Sequence, residues 1–129
     1  MTLWYLDTSA AIKLLIEEAE SHALVGAIKA EDPDLASCFL LETELRRAAQ
    51  RSEGLTHQAA SQLLDLVMLL DMPSSLFREA GYLPGRSLRS LDALHIAAAL
   101  RINADCVVTY DDRMANAAIE LGLRVFAPA

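Results

Sequence analysis

A chain of 129 residues that is 53% hydrophobic, with a formal net charge of −7, reads as one well-packed acidic domain over residues 1–129 without disordered tails or low-complexity linkers. The acidic balance argues against tight non-specific nucleic-acid binding, which draws on clustered Lys and Arg, yet leaves room for an enzyme whose carboxylates carry divalent cations. Cys38 and Cys106 lack metal-ligand spacing and read as buried thiols of a reducing compartment. An acid at position 7 and the lack of any apolar run of about 18 residues argue against a signal peptide and a membrane span, so a cytoplasmic protein is expected.

In chain order, "TLWYL" at residues 2–6 predicts a short buried strand, and Thr8 or Ser9 predicts the cap of a helix running to about Glu17. A second helix is expected from Glu20 to Ala30, "EDPD" makes a turn, and "LAS" makes a brief strand before a helix over 39–52. Thr56 caps the next helix, whose apolar residues continue at helical spacing through Leu70, with Pro73 beyond it. Helices follow over 74–83 and from Ser90, the latter rich in alanine. "DCVVTY" at 105–110 is the clearest strand; a helix over 113–121 closes at Gly122, and "RVFA" is the last strand. Short apolar strands alternating with helices predict a three-layer α/β domain with a central, mainly parallel sheet flanked by helices, and ligands gather beyond the carboxyl ends of such strands.

Two of these strands end in acids: "WYL" delivers Asp7, and "VVTY" delivers Asp111 and Asp112. Each alone is explained as a helix cap or first-turn acid; as a pair on one sheet edge they suggest a shared site. Asp92 sits in a helix with almost no solvated face, with His95 one turn along as a supporting residue and not a ligand. Glu42 and Glu44 point about 200° apart on their helix, so only one faces a shared pocket. Glu44 lies beside the apolar stripe of Leu41, Leu45 and Ala48, whereas Glu42 pairs with Arg46. If Asp7, Glu44, Asp92 and Asp111 converge, their repulsion calls for a cation, and an all-carboxylate set favours Mg²⁺ or Mn²⁺ over Zn²⁺. The matching chemistry is hydrolysis of a phosphodiester.

"LDTSAAI", "ETELRRA", "LRSLDALHIAAAL" and "VVTYDDRM" together resemble the motifs of PIN-domain ribonucleases, in particular the VapC-type toxins of VapBC toxin–antitoxin modules, nearly end to end. The resemblance implies a PIN-like fold with Asp7 and Asp92 as principal metal ligands, and with Glu44 and Asp111 completing the cluster. Thr8 or Ser9 would orient it; Glu42 competes with Glu44, and Asp112 with Asp111. It also implies an RNA substrate cut to leave a 5′-phosphate and a 3′-hydroxyl, Mg²⁺ (or Mn²⁺) as cofactor, a homodimer, and a small VapB-like antitoxin as partner. Arg46, Arg47, Arg51, Arg86 and Arg89 stand near the acids in sequence, where they would meet RNA phosphates or an acidic antitoxin tail.

Other families with an acidic sheet edge fit less well. A receiver domain needs a late Lys, and the only lysines are Lys13 and Lys29. A haloacid-dehalogenase-like phosphatase needs an acid where Ser9 stands, and a dinucleotide-binding domain needs glycines that "DTSAA" lacks. The alternative of another class is a non-catalytic PIN-like module that binds RNA or a protein partner.

Overall fold

The computed structural model describes residues 2–129. Among these the chain runs β1 (Leu3–Leu6), α1 (Thr8–Lys13), α2 (Ser21–Glu31), β2 (Asp34–Cys38), α3 (Leu40–Arg51), α4 (His57–Leu66), β3 (Met68–Leu70), α5 (Ser74–Tyr82), α6 (Ser90–Arg101), β4 (Cys106–Val108), α7 (Asp112–Glu120) and β5 (Val125–Phe126). The strands form one sheet in the order β3-β2-β1-β4-β5, and every pairing is parallel. The chain therefore builds outward from β1 in one direction as far as β3, then crosses to the other side of β1 for β4 and β5. That reversal makes the carboxyl ends of β1 and β4 a switch point, where open α/β sheets form their clefts.

Strand alternation sorts the core into two layers. Trp4 and Leu6 of β1, with Cys106 and Val108 of β4, pack against apolar residues of α1, α2, α3 and α4. Tyr5 and Val107 point the other way, against α5 and the alanine stripe of α6. Helices on both faces explain why the central strands are buried apolar runs instead of alternating ones. Both cysteines are buried and unpaired by disulfides.

Three boundaries depart from expectation. Asp7, not Thr8 or Ser9, caps α1, accepting from the Ala10 amide. That helix ends at Lys13 instead of continuing to Glu17, because the backbone tightens into turns through Ile16. Residues 68–70, expected to prolong α4, form β3: Val67 turns extended, and Met68 to Leu70 pair with Ala36 to Cys38. The expected cap at Thr56 is present, its hydroxyl accepting from the Ala59 amide. Gly122, at φ +83, takes the left-handed position that ends α7, as its place after the helix implies.

Candidate active site

The site is built from four elements. Asp7 leaves the end of β1 almost wholly buried, at 3% exposure. Its Oδ1 accepts from the Ser9 hydroxyl at 2.7 Å and the Ala10 amide at 3.0 Å, and its Oδ2 accepts from the Thr109 hydroxyl at 2.5 Å. Burial raises its pKa, against the pull of those bonds. Thr109, buried just past β4, also accepts from the Asp111 amide at 3.1 Å, so one hydroxyl links the two acid-bearing strand ends.

Asp111 caps α7, its Oδ1 accepting from the amides of Arg113 and Met114. Asp92 stands in the first turn of α6. Arg89 holds the cap position of that helix without a side-chain bond. Burial first, and then the charge of Asp111, raise the Asp92 pKa; Asp7 adds to the rise, while His95 and Arg89 oppose it. These two carboxylates feel one another across the cleft.

Glu44 projects from α3 into the same space. Its Oε1 accepts from Thr8 Oγ1 at 2.8 Å and from His95 Nε2 at 2.7 Å. Despite burial, which raises it, the bonds from His95 and Thr8 hold the Glu44 pKa below its ordinary value. His95 is 3% exposed, and its Nδ1 lies 2.7 Å from the Tyr5 hydroxyl and 3.8 Å from Cys38 Sγ. Burial lowers the imidazole pKa, but contacts with Cys38 and Glu44 outweigh it and raise the value to about 10.

Glu44, Asp92, Asp111, Asp112, Arg89 and Arg113 line one cleft of about 530 Å³, beside the buried Asp7. Glu42 lies outside it, ion-paired with Arg46 at 2.7 Å. Both acids after β4 reach the cleft, but Asp111 is the one whose charge raises Asp92. Among the described residues no three His, Cys, Asp or Glu side chains stand at the spacing that grips a metal ion. Both oxygens of Asp7 are engaged by protein donors, and the other carboxylates repel one another.

The donor chemistry nevertheless fits a hard divalent cation. The candidate ligands are carboxylates, both His95 nitrogens are engaged within the protein, and Asp92 carries an unrelieved negative neighbour. Replacing Thr109 by Val, which keeps the shape but removes the hydroxyl, leaves Asp7 Oδ2 and the Asp111 amide without their partner. The expected cost is about 2 kcal/mol, read by urea unfolding; wild-type stability in Thr109→Val would show that the hydroxyl contributes nothing there.

A family model of the PIN domain matches residues 4–120. The chain belongs to the PIN-domain family. It is 37% identical over 131 residues to Ribonuclease VapC46 of Mycobacterium tuberculosis, an alignment covering 100% of both chains. It is 36% identical to Ribonuclease VapC47 of the same species, with 96% of each covered. Among solved structures, VapBC2 from Rickettsia felis, bound to a DNA fragment from its promoter, matches with a TM-score of 0.72 at 14% identity, over 99% of this chain and 100% of that one. VapC20 of M. tuberculosis, a Sarcin-Ricin loop cleaving toxin, matches with the same TM-score at 16% identity, over 97% and 99%. These two structural likenesses speak for the fold.

In this PIN domain the arginines near the acids in sequence separate. Arg46 is committed to Glu42, the His57 carbonyl and Ser61, and so ties α3 to α4. Arg47, Arg51 and Arg86 are exposed and do not line the acidic cleft, whereas Arg89 does. Arg113 also lines it and was not anticipated; its place two residues after Asp111, in the first turn of α7, was the available signal.

Proposed function

We propose that the chain is a Mg²⁺-dependent endoribonuclease, and the toxin of a type II toxin–antitoxin pair. The observation that carries this reading is the convergence of Glu44, Asp92 and Asp111 on one cleft beside Asp7, in a chain that belongs to the PIN-domain family. Asp7, Glu44, Asp92 and Asp111 are the residues that would hold Mg²⁺ (or Mn²⁺), which supplies charge neutralisation at a phosphate and a water acidic enough to attack it.

The chain's own residues do the rest. Asp7 is fixed by the cap of α1 and by Thr109, and Asp92 rides on a helix buried among alanines, so the carboxylates keep their places when substrate arrives. Arg89 and Arg113, on the rim of the cleft, offer guanidinium groups to flanking phosphates and so counter the negative charge that would repel RNA.

VapBC2 from R. felis and a toxin–antitoxin complex from Klebsiella pneumoniae share this fold, the second with a TM-score of 0.72 at 18% identity, and we extend the pairing to this chain: a small antitoxin as partner. No helix among the described residues is long and apolar enough to cross a membrane. Self-association as a homodimer is part of the same proposal; Phe77, Tyr82 and Leu100 leave apolar surface exposed on α5 and α6.

The test is cleavage of structured RNA by antitoxin-free protein with Mg²⁺, with Mn²⁺ and with chelator, after light scattering has given the mass in solution. Cleavage that needs the cation, leaving 5′-phosphate ends, is the expected result. RNA or antitoxin binding without any cleavage would instead assign a non-catalytic module, and a one-chain mass would dispose of the dimer.

A further inference from the structure

One buried side chain beside the cleft, His95, has no part in the proposed chemistry. Tyr5 in the central strand, His95 on α6, Glu44 on α3 and Thr8 at the start of α1 form one chain of hydrogen bonds, 2.7, 2.7 and 2.8 Å long in that order. α3 packs mainly on one face of the sheet and α6 on the other. His95 joins them. It also lies three residues after Asp92 on the same helix, so the bond to Glu44 ties the two acid-bearing helices together one turn from Asp92.

The bond pattern on Glu44 is one-sided. Thr8 and His95 both donate to Oε1, while Oε2 accepts no hydrogen bond among the described residues. A carboxylate with one oxygen doubly held and the other open is oriented, and this one lines the cleft.

We propose that His95 is a positioning residue that locks Glu44 through Oε1, fixes its distance from Asp92, and leaves Oε2 as the single oxygen available to a cation. This rests on the reading of Glu44 as a ligand. A lone buried histidine is more often a packing residue; here both ring nitrogens have partners, and one of them is a cleft carboxylate. Partners of this kind, which orient a ligand from behind, carry about 10- to 100-fold in metal affinity.

The experiment measures Mn²⁺ affinity of the antitoxin-free protein by calorimetry and by electron paramagnetic resonance. The variants are His95→Asn, His95→Gln and Glu44→Ala, with each histidine change also combined with Glu44→Ala. Gln reaches the position of Nε2 and Asn does not. His95→Asn is expected to weaken Mn²⁺ binding about 10- to 100-fold and His95→Gln to recover most of it. In the Glu44→Ala background neither change should matter further, because the residue acts through Glu44.

Equal weakening in both backgrounds, or none in either, overturns the proposal. If Glu44→Ala alone leaves affinity unchanged, the ligand reading of Glu44 fails instead. Should a histidine variant not fold, Tyr5→Phe keeps the ring in the core and removes only the bond at the far end. A several-fold weakening that vanishes in the Glu44→Ala background supports the proposal, and one that persists there overturns it.

Discussion

Asp92→Asn is expected to lower kcat/KM for RNA cleavage by about 10³-fold while making the metal-free protein more stable. The two effects have one cause. Burial and the nearby charges of Asp111 and Asp7 raise the Asp92 pKa, so ionising it costs more in the folded protein than in the unfolded chain. A carboxyl whose folded pKa is raised costs stability once the pH passes its ordinary value, and the amide removes that cost. On the proposed reading it also removes a negative ligand. A cation worth several kcal/mol to the transition state then binds poorly, and each 1.36 kcal/mol lost is a factor of ten in rate.

Asp7→Asn should be equally inactive but less stable, by about 1 kcal/mol, because losing the cap and hydroxyl bonds outweighs relief of its burial-raised pKa. The Asp7 carboxylate accepts from Ser9, Ala10 and Thr109 and caps α1, and an amide cannot accept all three bonds through both of its ends. Single-turnover cleavage and thermal unfolding in chelator measure both quantities. Two variants shifted the same way in stability, or an active Asp92→Asn, would refute the account.

Raising the pH from 6.5 towards 10 is expected to strip stability from the metal-free protein, with His95 as the main cause. Burial lowers its pKa, but Cys38 and Glu44 outweigh burial and carry it from 6.5 to about 10. A base whose folded pKa is raised contributes stability that is fully present below its unfolded value and is lost as the pH climbs through the folded one. Glu44 works in the opposite direction. Its lowered pKa contributes stability above its ordinary 4.5 that is lost on acidification. Asp7 and Asp92, both raised from 3.8, side with His95.

The Glu44–His95 pair therefore contributes its full stability between about 4.5 and 6.5, the ordinary values of the two partners, while Asp7 and Asp92 subtract from it above 3.8. Urea unfolding at pH 5.5, 7.5 and 9.5 tests this, and His95→Gln should flatten the alkaline limb. An alkaline limb unchanged in His95→Gln would show that His95 is not its source.

Much of this was legible in the chain because the informative signals were local. Asp7 and Asp111 stand where apolar strands stop, and Glu44 lies beside a stripe of Leu41, Leu45 and Ala48 that must turn inward. The buried surroundings of Asp92 followed from the alanines around it. What stayed hidden depended on partners remote in sequence. β3 is three residues whose spacing continues a helix, and only pairing with β2 makes them a strand. Arg113 and the full connections of His95 became visible only once α3, α6 and α7 were brought to one edge.

The alanine-rich packing of α6 divides the protein into two registers of change. Asp92 and His95 are set by neighbours sealed from solvent, so substitutions that alter their spacing must first disturb the interior and are removed for instability. Arg89 and Arg113 stand on the rim, where exchange costs the fold little. Changes to the rim would therefore alter what the cleft admits while the buried framework behind His95 stays as it is.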